Sequence, residues 1–563
     1  MKIVKTKVKK GKVFSKGLLI TFSILIFFIA IISGGIWYWN AHKKAMIKNK
    51  MQTTVREKSN GLYRIKYDSL EMDEIAGNLS ISNMNLTYDS AHYIDLVKLG
   101  KEPSILLNIH IPEISVVGVQ TPRALISNEI VGRKLELKNP VINIIYTNAG
   151  NDSTPVVPQK ELYAQILGEL DLIQADTVLI SSAQITTSSW RSKKTTIQIQ
   201  DVSITLMNVK IDSISNADIS RMLFAKDVNI TCGKLTWPSA DKFYNFSADS
   251  LSLSSARKYF FIKSFRLIPI LNEDAFVKTL PIQDDRFDLS ISNIQLRNLN
   301  MQQLFEQNLV ADSMLIGDAD FKIFCDLGIP HEKKNRVGTY PQQVIEKIPM
   351  PFRIGKIIMA NGFIEYKEKS KINRESGKVQ FYHVYADINN FTNDKKVIAL
   401  NNVMTLDMSS SFLNKTPFKV NWLFYLLDPK GRFDLKGTVG PIDGKLLNSF
   451  AEPMGDISIK KGTINVAEFN LHGNDYNMDG SVKMLYQDLK VTMLKQDRRL
   501  NGKHKKPMLS LLANILLINS NPKKDEEPRE AKVYLDRDLN HTIFNFSWLT
   551  VLKGIRETVG IKQ

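Results

Sequence analysis

The chain has 563 residues, a formal net charge of +18, and 43% hydrophobic against 23% charged residues. That balance is globular and excludes a disordered or low-complexity chain, while the length allows several cores or one long repeat fold. The basic excess is local: Lys2, Lys5, Lys7, Lys9, Lys10, Lys12 and Lys16 precede the first acidic residue, Glu57, and Arg498, Arg499, Lys503, Lys505 and Lys506 form a second cluster. Basic residues that flank apolar segments, without aromatics interleaved on one module, argue against a nucleic-acid partner. They suit either anionic lipid head groups or a solvated flank that assists insertion.

Gly17 to Trp39 carries no charged residue, and Trp37, Tyr38 and Trp39 close one end of it. A helix of this length crosses a hydrocarbon layer of about 30 Å, and amphipathic rings favour its interface. A cleaved leader would have a shorter apolar run and a small-residue site, which Ile36 to Trp39 does not offer. The expected order is therefore a basic cytoplasmic tail over 1–16, a transmembrane helix over 17–39 and a juxtamembrane linker over 40–60, with Gln52 to Asn60 polar. Lys43, Lys44, Lys48 and Lys50 follow the span, so the positive-inside bias is weak. The N-terminus is placed inside because the tail is short and the rest reads as an exported domain.

From Gly61 to about Leu500 the dominant pattern is strand alternation. Val202, Ile204 and Leu206 alternate with Ser203 and Thr205, and the segments at Ile197, Leu251 and Ile457 behave alike. A period of two leaves one face dry and one wet, unlike the continuous apolar runs of an all-parallel buried sheet. A short word recurs: Leu79 to Leu86 and Leu289 to Leu296 share the form apolar-x-apolar-x-Asn/Asp-x-x-apolar, with looser copies at Leu135 to Ile142, Ile197 to Ile204 and Leu223 to Ile230. The Asn or Asp stands where the alternation changes phase. Such residues tolerate turn geometry, which predicts a bend or bulge there.

Helical pattern is sparse. Leu162, Ile166, Leu170 and Ile173 share a helical face and predict a helix over Lys160 to Ile173, after a polar loop from Thr147 to Gln159; Met301, Leu304 and Phe305 predict a short one. A charged linker with an apolar segment, Met508 to Ile518, fills 501–530, and Pro522 to Arg529 is its charged end. In 531–563 a strand leads to an amphipathic helix with Trp548, Leu552, Ile555 and Val559 on one stripe. That helix suits either a membrane surface or the end of a sheet.

No catalytic motif survives inspection. His331 and Glu332 open like a zinc-protease helix but lack the second histidine; Gly440 to Leu446 is a residue short of a phosphate loop and has no Ser or Thr for magnesium. Asp475, Asn477, Asp479 and Gly480 open like a calcium loop, but its twelfth position is Tyr486, so a hairpin turn is favoured. Asp284 and Asp285 are adjacent and would point to opposite strand faces, unlike a glycosidase pair. No enzyme activity, cofactor or metal is expected. Cys232 and Cys325 leave two readings open, one disulfide or two free thiols.

The anchor, the strand words and the C-terminal quarter together resemble the AsmA-like proteins of Gram-negative envelopes, which include TamB-like members. The motifs carrying this are Trp422 to Tyr425 (WLFY), Gly431 to Gly437 (GRFDLKG), Leu446 to Asn448 (LLN), Gly462 to Asn465 (GTIN), Phe469 to Gly473 (FNLHG), Gly480 to Val482 (GSV), Tyr486 to Leu489 (YQDL) and the tail Phe546 to Gly560. The region Asn421 to Leu494 is similar to the family's C-terminal conserved part. The resemblance implies a mainly β fold, an elongated curled sheet forming an apolar groove over 61–500. It also implies an inner-membrane, single-pass protein with its bulk in the periplasm, moving phospholipid toward the outer membrane. The groove-facing residues expected are Leu79, Ile81, Val202, Ile204, Leu206, Leu251, Leu253, Leu289 and Ile291, unless some form an ordinary closed core. Partners would be phospholipid, the inner membrane and the outer membrane or one of its proteins. The alternative is an assembly or scaffold factor for outer-membrane proteins that works through strand edges.

Overall fold

The structure is a computed structural model that describes residues 52–560 apart from 54, 58, 74, 104, 121–126, 128, 148–170, 219, 333, 372, 456, 498–501 and 506–517. The chain is mainly β, with long mixed sheets and few helices. It divides into two compact units: Met1–Pro238 with Ala248–Phe261 and Phe305–Gln307, and Ser239–Ser247 with Ile262–Leu304 and Asn308–Gln563. The stretch 61–500, expected as one domain, contributes to both.

In the first unit the strands are β1 (Tyr63–Lys66), β2 (Ser69–Asp73), β3 (Asn78–Tyr88), β4 (Ile105–Val117), β5 (Glu129–Lys138), β6 (Val141–Tyr146), β7 (Leu172–Ser189), β8 (Thr195–Ile211) and β9 (Asp227–Pro238). Strands β1 and β2 pair with one edge of β3, and β4 with the other; β5 and β6 follow end to end along β4. All of these are antiparallel. Strand β7 then runs parallel to β5 and β6, and β8 and β9 return to antiparallel pairing. Helix α1 (Ser90–Lys98) starts at Asp89, whose carboxylate accepts from the Ala91 and His92 amides and satisfies free donors of the first turn. It buries Tyr93 with Leu62 and Leu106, and the Tyr93 and Trp190 rings meet edge to face at 4.7 Å.

Strands β10 (Tyr244–Ser254) and β11 (Tyr259–Pro269) follow. The second unit then contains β12 (Arg286–Arg297), β13 (Leu309–Asp326), β14 (Phe352–Lys369), β15 (Ser376–Thr392), β16 (Val403–Phe412), β17 (Thr416–Tyr425), β18 (Phe433–Val439), β19 (Ile442–Asp443), β20 (Ile457–Gly473), β21 (Asn477–Asp497), β22 (Gly502–Lys505) and β23 (Glu530–Asp536). Pairing is antiparallel except that β14 runs parallel to β13. The parallel joints of the two units match. Glu129 lies opposite Leu172 and Leu309 opposite Phe352, 43 positions on in each case, and the connections 147–171 and 327–351 are equally long.

The recurring Asn and Asp residues mark a crease. Asn83, Asn139, Asp201 and Asn293 all have left-handed backbone, with φ of 49°, 49°, 55° and 54°. Each lets the alternation skip a position, so that Leu79 and Ile81 before Asn83, and Met84 and Leu86 after it, are all buried. Such a conformation costs an ordinary residue about 1–2 kcal/mol, and short polar side chains tolerate it best because they bond locally. The Asn83 amide, for example, donates to Asp68 Oδ2 at 2.7 Å. Glycine faces the crease where two strands crowd it. A Cβ on Gly233 would stand 3.0 Å from that of Asp201, and one on Gly317 would stand 3.0 Å from that of Asn293.

Several expectations change. The Leu223 to Ile230 copy of the word is no crease: Asp227 begins β9, and Leu223 and Phe224 themselves have positive φ in a tight turn closed by Met222 and Ala225. Ile173, expected at a helix end, lies in β7, where long-range pairing overrides the local helical spacing. Leu172 lies in β7 as well, and residues 160–170 of that helix, the polar loop beyond Thr147, the transmembrane run and nearly all of the apolar segment from Met508 lie outside the described residues. Residues 52, 53 and 55–57 of the expected linker are helical. Among the described residues no helix is long and apolar enough to cross a membrane. Both cysteines are free thiols. Helix α4 (Met301–Phe305) stands where the sequence predicts it, after α2 (Ser213–Ala217) and α3 (Glu273–Thr279).

In the second unit, α5 (Pro341–Glu346), α6 (Lys395–Leu400) and α7 (Asn448–Gly455) occupy connections, and α8 (Ile543–Thr558) packs on β21 and β23. The expected stripe on α8 is only partly its buried side: Ile555 packs against the core and Val559 is buried. Trp548 is exposed, whereas Phe546, Thr550 and Gly554 are buried. A Cβ on Gly554 would fall 2.4 Å from Val482 Cβ, so the helix lies against the sheet more closely than a larger residue permits. Asp475 lies in the hairpin between β20 and β21, buried and paired with Arg537 at 2.9 Å, which leaves no calcium loop there.

Candidate functional site

Register turns the alternation into rows that run across the strands. In the first unit Ile81, Ile114, Leu137, Ile180, Ile204 and Ile230 stand opposite one another from β3 to β9. Beyond the crease Leu86, Ile109, Ile142, Ile185, Ile199 and Leu235 form a second row. Branched side chains pack well on a pleated face, and full burial of each stabilises by about 2 kcal/mol. All members but Ile230 are buried. Leu79 and Leu206 belong to a third row with Val116, Leu135, Val178 and Val228, and Val202 lies opposite Ala183 and Cys232. The five expected groove residues Leu79, Ile81, Val202, Ile204 and Leu206 are thus buried together.

The other four are more open. Leu251 and Leu253 on β10 are half-buried. Leu289 and Ile291 on β12 are half-buried too, and Leu289 begins a row through Phe321, Ile364, Phe381 and Phe412. Every residue of that row is half-buried. Phe287 stacks on Phe321 at 6.1 Å and 14°, and Phe381 meets Phe412 at 5.4 Å and Phe418 at 5.1 Å. Beyond the crease at Asn293 a second row runs through Leu296, Met314, Ile357, Ile388, Leu406, Trp422, Leu435 and Leu471. Its far part joins the core beneath α8 with Phe424, Phe433 and Phe546. Phe544 and Trp548 stand exposed on α8, with Phe544 edge to face on Trp422 at 5.6 Å. The Trp422 indole N–H is buried without a hydrogen-bond partner. Sequence reasoning missed these aromatics, although the alternation of Phe418, Val420, Trp422 and Phe424 marks them as one face.

A group of ionisable side chains borders the first of these rows. Ile323, beside Phe321, stands opposite Tyr366, whose hydroxyl donates to Glu368. Burial pushes Tyr366 and Glu368 above their ordinary values, and burial also raises Asp285. Burial pushes the Cys325 thiol up to about 12, and the Gln283 amide donates to its sulfur at 2.9 Å. Burial in this weakly polar setting disfavours the charged form of each. At the same strand ends Asp326 accepts a bidentate contact from Arg374, which holds its carboxyl below the ordinary range. Among the described residues no group of three His, Cys, Asp or Glu is placed to hold a metal ion.

No family model matches the chain, and no curated protein is significantly similar to it.

Proposed function

We propose that the chain is an inner-membrane-anchored periplasmic protein of the AsmA-like kind, which binds phospholipid on an apolar strand face and helps move it toward the outer membrane. The observation that carries this is the unbroken, half-buried row from Leu289 to Phe412 across five strands. Four strand spacings of about 4.8 Å make about 19 Å, and an acyl chain in one leaflet of a ~30 Å hydrocarbon layer reaches about 15 Å. Taking such a chain into water costs about 0.8 kcal/mol per CH2, so transfer between membranes needs a covered apolar path. The resemblance supplies the envelope setting, and nothing in the reading requires catalysis.

The test is native mass spectrometry of the full-length protein released from detergent. Phospholipid is expected on the wild type and lost from Leu289→Asp/Ile291→Asp, with circular dichroism unchanged. A wild type free of lipid, or a folded variant that keeps it, overturns the proposal. The first outcome moves the reading to an assembly factor working by strand addition.

A further inference from the structure

The ends of the strands in the second unit are unlike one another. Arg353 pairs with Thr392, Val403 with Tyr425, Phe433 with Gly473, and Asn477 with Asp536, so the connections 393–402, 426–432, 474–476 and 537–542 emerge at one end together with the approach to β14. Each of these connections displays apolar surface. Leu400 is 90% exposed, and Val344, Ile348, Leu427, Tyr476 and Leu539 are exposed as well. At the opposite end, among the described residues of the connections 370–375, 413–415 and 440–456, Leu446 is the one large apolar side chain exposed.

This end is built rigidly. Helix α5, which carries Val344 outward, is tied down by a buried network. The Gln343 amide donates to Asp475 Oδ2 at 2.7 Å, the Gln342 amide to the Gly431 carbonyl at 3.0 Å, and the Tyr340 hydroxyl to the Asn474 carbonyl at 3.0 Å. Arg537 pairs with Asp475 and stands 4.4 Å from the Tyr340 ring centre. Helix α6 turns Ile398 inward and Leu400 outward, capped by the Asp394 carboxylate.

Its exposed charge is mainly basic. Glu346 accepts from the Leu427 amide, Asp394 caps α6, Asp428 pairs with Arg432, and Asp475 is buried with Arg537. These four carboxylates are engaged and Asp538 is an exposed one that accepts from the Asn540 amides, while Lys395, Lys396 and Lys430 are exposed and have no ion pair among the described residues. Protein interfaces favour aromatics and arginine in packed hollows and are depleted in lysine. Separate aliphatic tips ringed by free lysines, with one tyrosine, match instead the boundary between acyl chains and anionic head groups.

We propose that this end of the second unit docks on the surface of an anionic bilayer, with Val344, Ile348, Leu400 and Leu427 entering the head-group boundary and Lys395, Lys396 and Lys430 meeting lipid phosphates. It goes beyond the lipid-transfer reading, since it says where a membrane is met and not what is carried.

Full-length protein carrying Leu400→Cys, labelled with an environment-sensitive fluorophore, is placed with vesicles of phosphatidylcholine alone or mixed with phosphatidylglycerol, each containing spin-labelled lipid. A label at Lys415→Cys, at the opposite strand ends, is the reference, and the wild-type chain gives the background from Cys232 and Cys325. Quenching is expected at 400 and not at 415, only with phosphatidylglycerol, and the apparent affinity should fall at least about tenfold in Lys395→Glu/Lys396→Glu/Lys430→Glu. A label at 400 as water-exposed as the one at 415 overturns the proposal, as does quenching indifferent to the three lysines. Lipid carried on the Leu289 row is untouched by these changes, so the two readings fail separately.

Discussion

The two units share a skeleton and differ in what they do with its dry face. Both contain an antiparallel run, a parallel joint offset by 43 positions, a connection of equal length, and a crease of left-handed residues crossed by a glycine. In the first unit the rows flanking the crease are almost wholly Ile and Leu, and they are sealed. In the second, Phe and Met enter the rows and the Leu289 row stays half open. The backbone devices set the architecture, and side-chain size decides whether the face closes. A closed face serves stability; a half-open one leaves apolar surface uncovered, which is what the proposed lipid binding draws on.

The largest effect that tests this contrast is the insertion of a charge on either face. Ile204→Asp places an unpaired carboxylate in a sealed row and should cost about 4 kcal/mol, while Leu289→Asp at a half-buried position should cost about 1 kcal/mol. Urea denaturation of both variants measures the difference. Equal losses would mean that the second face is an ordinary core, and the lipid reading would lose its main support.

The alternation and the phase breaks at Asn83, Asn139, Asp201 and Asn293 were legible because they are local: a short polar Asn or Asp, one spacing and one backbone conformation. The parallel joints were not, because nothing in Glu129 or Leu309 specifies that its partner lies 43 residues on. Leu79 and Leu289 occupy the same place in the same word, yet one is sealed and the other half open, since that depends on neighbours brought in by register. The exposed side of α8 escaped for a related reason. Trp548 belongs to a good apolar stripe whose Ile555 and Val559 do meet the core, but with Gly554 close against the sheet the start of the helix buries Phe546 and Thr550 instead.

A smaller effect asks whether the crease is energetically common to both units. Asn83→Ala and Asn293→Ala put a β-carbon without a local hydrogen bond at φ near 50°, and each should lose about 1–2 kcal/mol. Asn→Gly at either place should recover most of the loss, because glycine adopts this region freely. Thermal unfolding of the four variants provides the measurement. If alanine were tolerated at 293 and not at 83, the crease would be a structural requirement of the sealed unit alone.

The smallest expected effect is a loss of stability with rising pH at the Glu368 and Asp285 strand ends of the second unit. Burial holds Glu368 above its ordinary 4.5 and Asp285 above 3.8, so the folded protein binds their protons more tightly than the unfolded chain. The stability these groups contribute is therefore complete below their ordinary values and is lost as the pH rises through the higher, folded ones. The strand that corresponds to β14 in the first unit, β7, ends in Thr186, Thr187, Ser188 and Ser189, which do not titrate. Glu368→Gln keeps a hydrogen-bonding partner for Tyr366 and cannot ionise. It should raise the neutral-pH melting temperature of the second unit and flatten its decline from acid to neutral pH. Hydrogen exchange resolved by peptide reads the two units apart. A decline that persists unchanged in the variant, or that appears equally in β7, would show that the half-open face owes nothing to these groups.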